Sequence, residues 1–220
     1  MTITLRPGST VMFTGDSITD SRRSASEDGL GFGYPLRIAG EWGLRHPDRP
    51  VTWRNSAIAG HKVRDLEARW QTDVLDARPD VVSVLVGIND VGWRSFDPDG
   101  HEIPVEEYAA GYDRLLTPLA ESGTDLILIE PFLLPYSAAL EIDNENLGAE
   151  VWQQWRADLD PKIQAVRELA HRYGARLLAA DGMFAGHAAA TGPAHWAADG
   201  VHPTPAGHAA LAAAWLRLVA

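Results

Sequence analysis

Ser17, Asp199 and His202 are the residue types that nucleophilic acyl transfer requires. A serine hydroxyl becomes a nucleophile when a neutral imidazole takes its proton. A carboxylate that holds the imidazole in one tautomer also stabilises the imidazolium that forms. Asp199-Gly-Val-His202-Pro203 supplies that second pair within one short turn near the C-terminus, and Gly15-Asp16-Ser17-Ile18 supplies the hydroxyl near the N-terminus. Taken singly, each motif has a plainer reading: a capping serine in a strand-to-loop turn, and an Asp-x-x-His helix cap with a surface histidine. The first is not a G-x-S-x-G elbow, since Thr19 stands at the final glycine position, and it lacks the glycines and lysine of a phosphate loop.

Acyl transfer also needs donors aimed at the developing oxyanion. In Asn55-Ser56-Ala57-Ile58-Ala59-Gly60 the small residues let the backbone approach a ligand, with Gly60 as the candidate N–H donor. Gly87-Ile88-Asn89-Asp90 adds the side-chain amide of Asn89. Each segment is otherwise ordinary turn chemistry. Asp16, Asp20 and Asp90 fall near the same rim. A carboxylate beside the nucleophile opposes negative charge on the oxyanion, so these three read as loop-structuring residues.

Two of the eight tryptophans, Trp93 and Trp196, stand beside these motifs and offer faces for a sugar ring or an acyl pocket, although aromatic residues more often belong to a core. Glu130, before Pro131, is a candidate polar contact or a partner for a neighbouring loop, and Arg23 and Arg94 carry the same ambiguity. His187, His195, His202 and His208 raise the alternative of a metal site. No pair has H-E-x-x-H spacing and no carboxylate cluster accompanies them, so no metal is expected.

These motifs must be held by a scaffold, and its elements are visible as alternating runs. Short, nearly continuous apolar runs at Thr10 to Thr14, Val51 to Arg54, Val81 to Val86, Asp125 to Ile129 and Arg176 to Ala180 read as buried strands. Helical periodicity spans Tyr34 to His46, Val63 to Ala77, Val105 to Glu121, Ala149 to Tyr173 and Thr204 to Leu218. Pro79, Gly174, Pro203 and Pro205 punctuate their ends. The alternation predicts βαβ units and a parallel sheet covered on both faces. Asp20 to Gly33 and Leu133 to Gly148 break the rhythm as long loops after strands, where open α/β sheets bind ligands.

With 220 residues, 45% of them hydrophobic, the chain can bury a substantial core, and residues 1–220 are expected to form one domain. A formal charge of −11 repels phosphate backbones and anionic headgroups, which argues against nucleic acid and membrane partners. The absence of cysteine excludes disulfides, thiolate metal sites and a thiol nucleophile, and it suits a reducing cytoplasm. The apolar run Val11 to Phe13 is too short for a signal-peptide core or a membrane span.

Together the motifs resemble the GDSL, or SGNH, hydrolase family. Its signature Ser, Gly, Asn and His match Ser17, Gly60, Asn89 and His202, its Asp-x-x-His-Pro block matches Asp199 to Pro203, and the resemblance extends from residue 10 to the last predicted helix. The stretches FTGDSITDSRR, AGHKVRDLEARWQTDVLDARPDVVSVLVGINDVGWR and ADGVHPTPAGH are similar to a subgroup that includes intracellular bacterial xylan and xylooligosaccharide acetyl esterases. The resemblance implies a flavodoxin-like, three-layer α/β/α fold with a five-stranded parallel sheet. It further implies a cofactor-free Ser17-His202-Asp199 esterase with an oxyanion hole of Ser17, Gly60 and Asn89, acting on acetylated carbohydrate, and relatives that can form homo-oligomers. The competing readings are a general esterase, thioesterase or lysophospholipase for longer acyl chains, and a noncatalytic flavodoxin-like binding protein.

Overall fold

A computed structural model describes residues 2–91, 103–135, 141–142, 145–146 and 149–220. Five parallel strands, β1 (Thr10–Gly15), β2 (Thr52–Asn55), β3 (Val81–Leu85), β4 (Asp125–Ile129) and β5 (Arg176–Leu178), form one sheet in the order β2-β1-β3-β4-β5. Outside it, Glu141–Ile142 pairs antiparallel with Glu145–Asn146. The helices are α1 (Ser17–Asp20), α2 (Tyr34–Arg45), α3 (Val63–Trp70), α4 (Val105–Glu121), α5 (Ala149–Arg172), α6 (Ala180–Thr191) and α7 (Pro205–Leu216).

β1, β3 and β4 lack polar alternation because helices cover both faces, whereas the edge strand β2 alternates, with Thr52 and Arg54 exposed. Val11 and Phe13 of β1 point into a core with Tyr34, Ile38 and Trp42 of α2 and Leu211 and Trp215 of α7. Met12 points the other way, toward Val63 and Leu66 of α3, Tyr108 and Tyr112 of α4, and Val166 of α5. The result is the three-layer α/β/α arrangement with a five-stranded parallel sheet that the sequence implied. Its order reverses direction at β1, with β2 on one side and β3 on the other, so a crevice opens at the carboxyl ends of β1 and β3.

Three elements depart from the sequence expectation. The predicted α3 ends at Trp70 and continues as a π-helical turn, Gln71–Leu75. The fifth strand stops at Leu178, and the following Ala-rich segment forms α6, which sequence periodicity did not reveal. Ser17, expected in a loop, instead begins the one-turn helix α1. Among the described residues, no helix is long and apolar enough to cross a membrane.

Candidate active site

Gly15 leaves β1 at φ 144°, and Gly87 follows β3 at φ 141°. Both lie in the region that side-chain-bearing residues rarely occupy. These two exits turn the next residues across the sheet's carboxyl edge. After Gly15, Asp16 caps α1 by accepting from Ile18 N at 3.0 Å, so Ser17 stands at the start of that turn.

His202 reaches Ser17 from the far end of the chain. Asp199 Oδ1 accepts from the amides of Val201 (2.9 Å) and His202 (2.7 Å), folding the Asp-x-x-His segment into a tight turn ahead of α7. Thr204 then caps α7 by accepting from Gly207 N at 3.2 Å. Within that turn His202 Nδ1 donates to Asp199 Oδ2 at 2.7 Å, which leaves Nε2 as the acceptor for Ser17 Oγ at 3.0 Å.

Electrostatics follow the geometry. The bond to Asp199 raises the His202 pKa against the opposing effect of burial. For Asp199, burial pushes upward, but the bonds from the His202 ring and from the amides of His202 and Val201 outweigh it and hold the group below its ordinary value. At neutral pH the carboxylate is therefore ionised, as an orienting group must be.

The segment after β2 offers a second feature. Ser56 N donates to Phe13 O, Ala57 N to Asn55 Oδ1, Ile58 N to Gly15 O and Ala59 N to Asp20 Oδ2. Beyond Gly60, His61 N donates to Ile58 O, Lys62 N to Asp65 Oδ2 and Val63 N to Asp90 Oδ1. Gly60 N alone in this run has no acceptor among the described residues. Asn89 Nδ2 uses one hydrogen on His61 O at 3.1 Å and keeps the other.

The remaining expected contacts fare differently. Glu130 is fully buried, with its oxygens engaged by Arg167 Nε at 2.6 Å and Asp181 N at 3.3 Å. It therefore ties α5 and α6 to the end of β4, which corrects the expectation of a substrate contact. Trp196 is half-buried. Its indole nitrogen donates to Thr191 Oγ1 at 2.8 Å, and its ring is stacked on His187 at 4.5 Å between centroids and met edge-on by His195 at 4.8 Å, so most of it is engaged within the chain. Trp93 and Arg94 lie outside the described residues.

Of the four histidines weighed for a metal, His208 is buried on α7, where Nδ1 accepts from Tyr34 N at 3.2 Å. Burial lowers its pKa to about 4. Among the described residues no group of three or more His, Cys, Asp or Glu is arranged to hold a metal ion.

The loop-structuring acids do act on backbone amides: Asp16 on Ile18, Asp20 on Ala59 and Asp90 on Val63. Sequence reading missed Arg69, whose guanidinium donates to Ser56 O at 2.6 Å and to His61 Nδ1 at 3.2 Å. Its one local signal is the i, i+4 pair with Asp73, which any exposed helix could carry.

Among the described residues, one oxygen each of Asp16 and Asp90, together with Thr14 Oγ1 and Tyr112 Oη, is buried without a hydrogen-bond partner. Burial raises the Asp16 pKa to about 7 and that of Asp90 to about 6. The folded chain thus holds these protons to higher pH than the unfolded chain, whose carboxyls release them near 3.8. Stability is expected to fall as pH rises from about 4 to 7 and to level off above, by an amount on the order of a few kcal/mol. Asp16→Asn, which cannot ionise, should flatten that decline. Thermal melts at pH 5 and pH 8 test this, and an equal decline in parent and variant would remove Asp16 as its source.

The comparisons with known proteins agree with this architecture. The profile of the GDSL-like lipase/acylhydrolase family matches residues 13–210. The chain belongs to that family. As a GDSL hydrolase it is a carboxylic ester hydrolase, and it is 32% identical over 219 residues to an acetylxylan esterase of Geobacillus stearothermophilus, covering 96% of this chain and 93% of the relative. A solved structure of a variant of that acetyl xylan esterase superposes with a TM-score of 0.81, covering 97% and 95% of the two chains at 32% identity. Two structures of its catalytic mutants replace an aspartate and a histidine three positions apart, the spacing of Asp199 and His202 here, each at 32% identity and a TM-score of 0.82. LAE5, an α/β hydrolase from the metagenome of Lake Arreo, is 32% identical with a TM-score of 0.82, over 97% of this chain and 95% of its own.

Proposed function

We propose that this hydrolase removes acetyl groups from acetylated xylooligosaccharides by an acyl-enzyme mechanism at Ser17. The observation that carries the mechanism is the unengaged Gly60 amide in a run whose other amides are all bonded, beside a Ser17-His202-Asp199 relay with bonds of 3.0 and 2.7 Å. His202 Nε2 takes the Ser17 proton as Oγ attacks the ester carbonyl. The tetrahedral oxyanion is held by the amides of Ser17 and Gly60 and the second hydrogen of Asn89. The imidazolium then protonates the departing sugar hydroxyl, and water, activated by His202, releases acetate. Because His202 must start neutral, activity falls as pH drops through its raised pKa.

Supporting the acetylated sugar is the identity to the acetylxylan esterase across nearly the whole chain. Nothing in this mechanism calls for a cofactor, and the negative charge disfavours nucleic acid and membrane partners. The cysteine-free composition fits action in the cytoplasm. The deciding experiment compares para-nitrophenyl esters from acetate to decanoate with acetate release from acetylated xylooligosaccharides. A sharp acetyl preference with release from the sugar is expected, whereas best turnover of long acyl chains would replace the substrate assignment.

Asn89→Ala tests the oxyanion role. Loss of one such donor costs about 3 kcal/mol in the barrier, roughly a hundredfold or more in kcat. The variant should fold like the parent, because among the described residues the side chain bonds only to His61 O. Unchanged kcat would take Asn89 out of the oxyanion hole.

A further inference from the structure

The helix that begins with Ser17 ends, one turn later, at Asp20. Asp20 is not an idle surface acid. Its Oδ2 accepts from Ala59 N at 3.1 Å, the residue immediately before Gly60, and its Oδ1 accepts from Arg23 N at 3.1 Å. Arg23 in turn donates through Nε to Ala57 O at 2.5 Å and lies 3.8 Å from the Asp20 carboxylate. To bring both side chains onto this loop, the backbone passes through two consecutive non-glycine residues in the left-handed region, Ser21 at φ 40° and Arg22 at φ 61°. Such conformations cost of order 1 kcal/mol or more each and persist only where surrounding contacts enforce them.

The nucleophile and the amide before Gly60 are therefore joined by one rigid strut: Ser17, a single helical turn, Asp20, Ala59. Other bonds hold this loop on either side of Gly60: Ile58 N donates to Gly15 O, Asn89 Nδ2 and Arg69 both act on His61, and Asp90 accepts from Val63 N; the amide of Ala59, immediately before Gly60, is held by Asp20 alone among the described residues. Gly60 itself adopts φ 81° with no atom within 4 Å of where a Cβ would stand, so packing does not hold it either.

We propose that Asp20 is a positioning residue for ester hydrolysis, setting the Gly60 amide at the distance from Ser17 Oγ that the tetrahedral intermediate requires, with Arg23 bracing it from Ala57. The inference rests on the reading of Gly60 as an oxyanion donor. Asp20 touches no reacting atom; it acts through the backbone. A displacement of about 1 Å in such a donor costs up to a hundredfold in rate, and the ground-state ester, which has no developed charge, is much less affected.

The test compares Asp20→Ala and Asp20→Asn in the full chain. Asp20→Ala should lower kcat on para-nitrophenyl acetate about 10- to 30-fold with KM within about twofold. It should weaken inhibition by an alkyl boronic acid, whose tetrahedral adduct mimics the oxyanion, by a similar factor. Asp20→Asn keeps one oxygen, enough for Ala59 N but not for Arg23 N as well, and should fall between the parent and Asp20→Ala in both. A serine-directed phosphonate should still label Asp20→Ala to full stoichiometry. Parent-like kcat in Asp20→Ala, or a fall in Asp20→Asn as deep as in Asp20→Ala, overturns the strut. If the parent is itself not labelled at Ser17, the underlying mechanism fails instead. Should Asp20→Ala not fold, Arg23→Ala carries the test. It frees Ala57 alone and should lower kcat about threefold to fivefold at unchanged KM, and no loss overturns the proposal.

Discussion

Ser17→Ala is expected to lower kcat on an acetyl ester by about 10⁵- to 10⁶-fold, the loss seen when a nucleophile is removed from a unit of interdependent groups. The reason lies in the coupling, not in the serine alone. With Oγ gone, His202 Nε2 has no proton to take at 3.0 Å, and the Asp199 bond at 2.7 Å orients an imidazole that has nothing to activate. His202→Ala should cost nearly as much, and the double variant little more than either single one, because each removes the same step. What survives is binding plus the amide donors, which still polarise a carbonyl for attack by water. Burst titration with para-nitrophenyl acetate measures this directly. The parent should show a burst equivalent to one acyl group per chain and Ser17→Ala none. A residual rate within a hundredfold of the parent, or additive losses in the double variant, would show that another group performs the attack.

Motif and period made the strands of the sheet, five of the helices and the meeting of Ser17, His202 and Asp199 legible in the sequence, for physical reasons that differ. β4 was bounded correctly because four buried residues, Leu126 to Ile129, leave a continuous apolar run that starts after the exposed Asp125 and is ended by Glu130-Pro131. Asp199 and His202 were legible because their bond closes over three residues. Glu130 stayed open between a ligand contact and an internal partner because those partners, Arg167 and Asp181, come from α5 and α6 and are 37 and 51 residues away. A carboxyl group at a strand end looks the same in sequence whether it meets a ligand or a guanidinium. α6 escaped because its Ala- and Gly-rich sequence, ADGMFAGHAAAT, shows no apolar stripe: Phe184 and Ala180 alone are fully buried. The acids of the site were recognised as loop-structuring, but the amide each one serves depends on which strands are neighbours. The carboxylate of Asp20 and the amide of Ala59 meet only because β1 and β2 pair in parallel, with Phe13 opposite Asn55.

Gly15→Ala should be the most destabilising small substitution near the site, and the cause is independent of the chemistry. An added Cβ would stand 1.9 Å from the carbonyl oxygen of Leu85 and 2.8 Å from its carbon, both backbone atoms of the neighbouring strand. No rotamer change relieves that contact. β1 and β3 would have to separate at the centre of the sheet, where Asp16 N donates to the same Leu85 oxygen at 3.3 Å. The φ of 144° adds its own strain for any residue with a side chain. Backbone strain and overpacking each cost about 1–3 kcal/mol, so together about 4 kcal/mol is expected, on the order of 10 °C in melting temperature for a chain of this size. Gly60→Ala is the natural control, since its φ of 81° carries the strain without any collision. It should lose only about 1–2 kcal/mol. Differential scanning calorimetry of the two variants separates the effects. Equal melting temperatures would mean that the β1 and β3 edges yield more easily than a parallel pair at the middle of a five-stranded sheet should, and that the turn presenting Ser17 is not fixed by this contact.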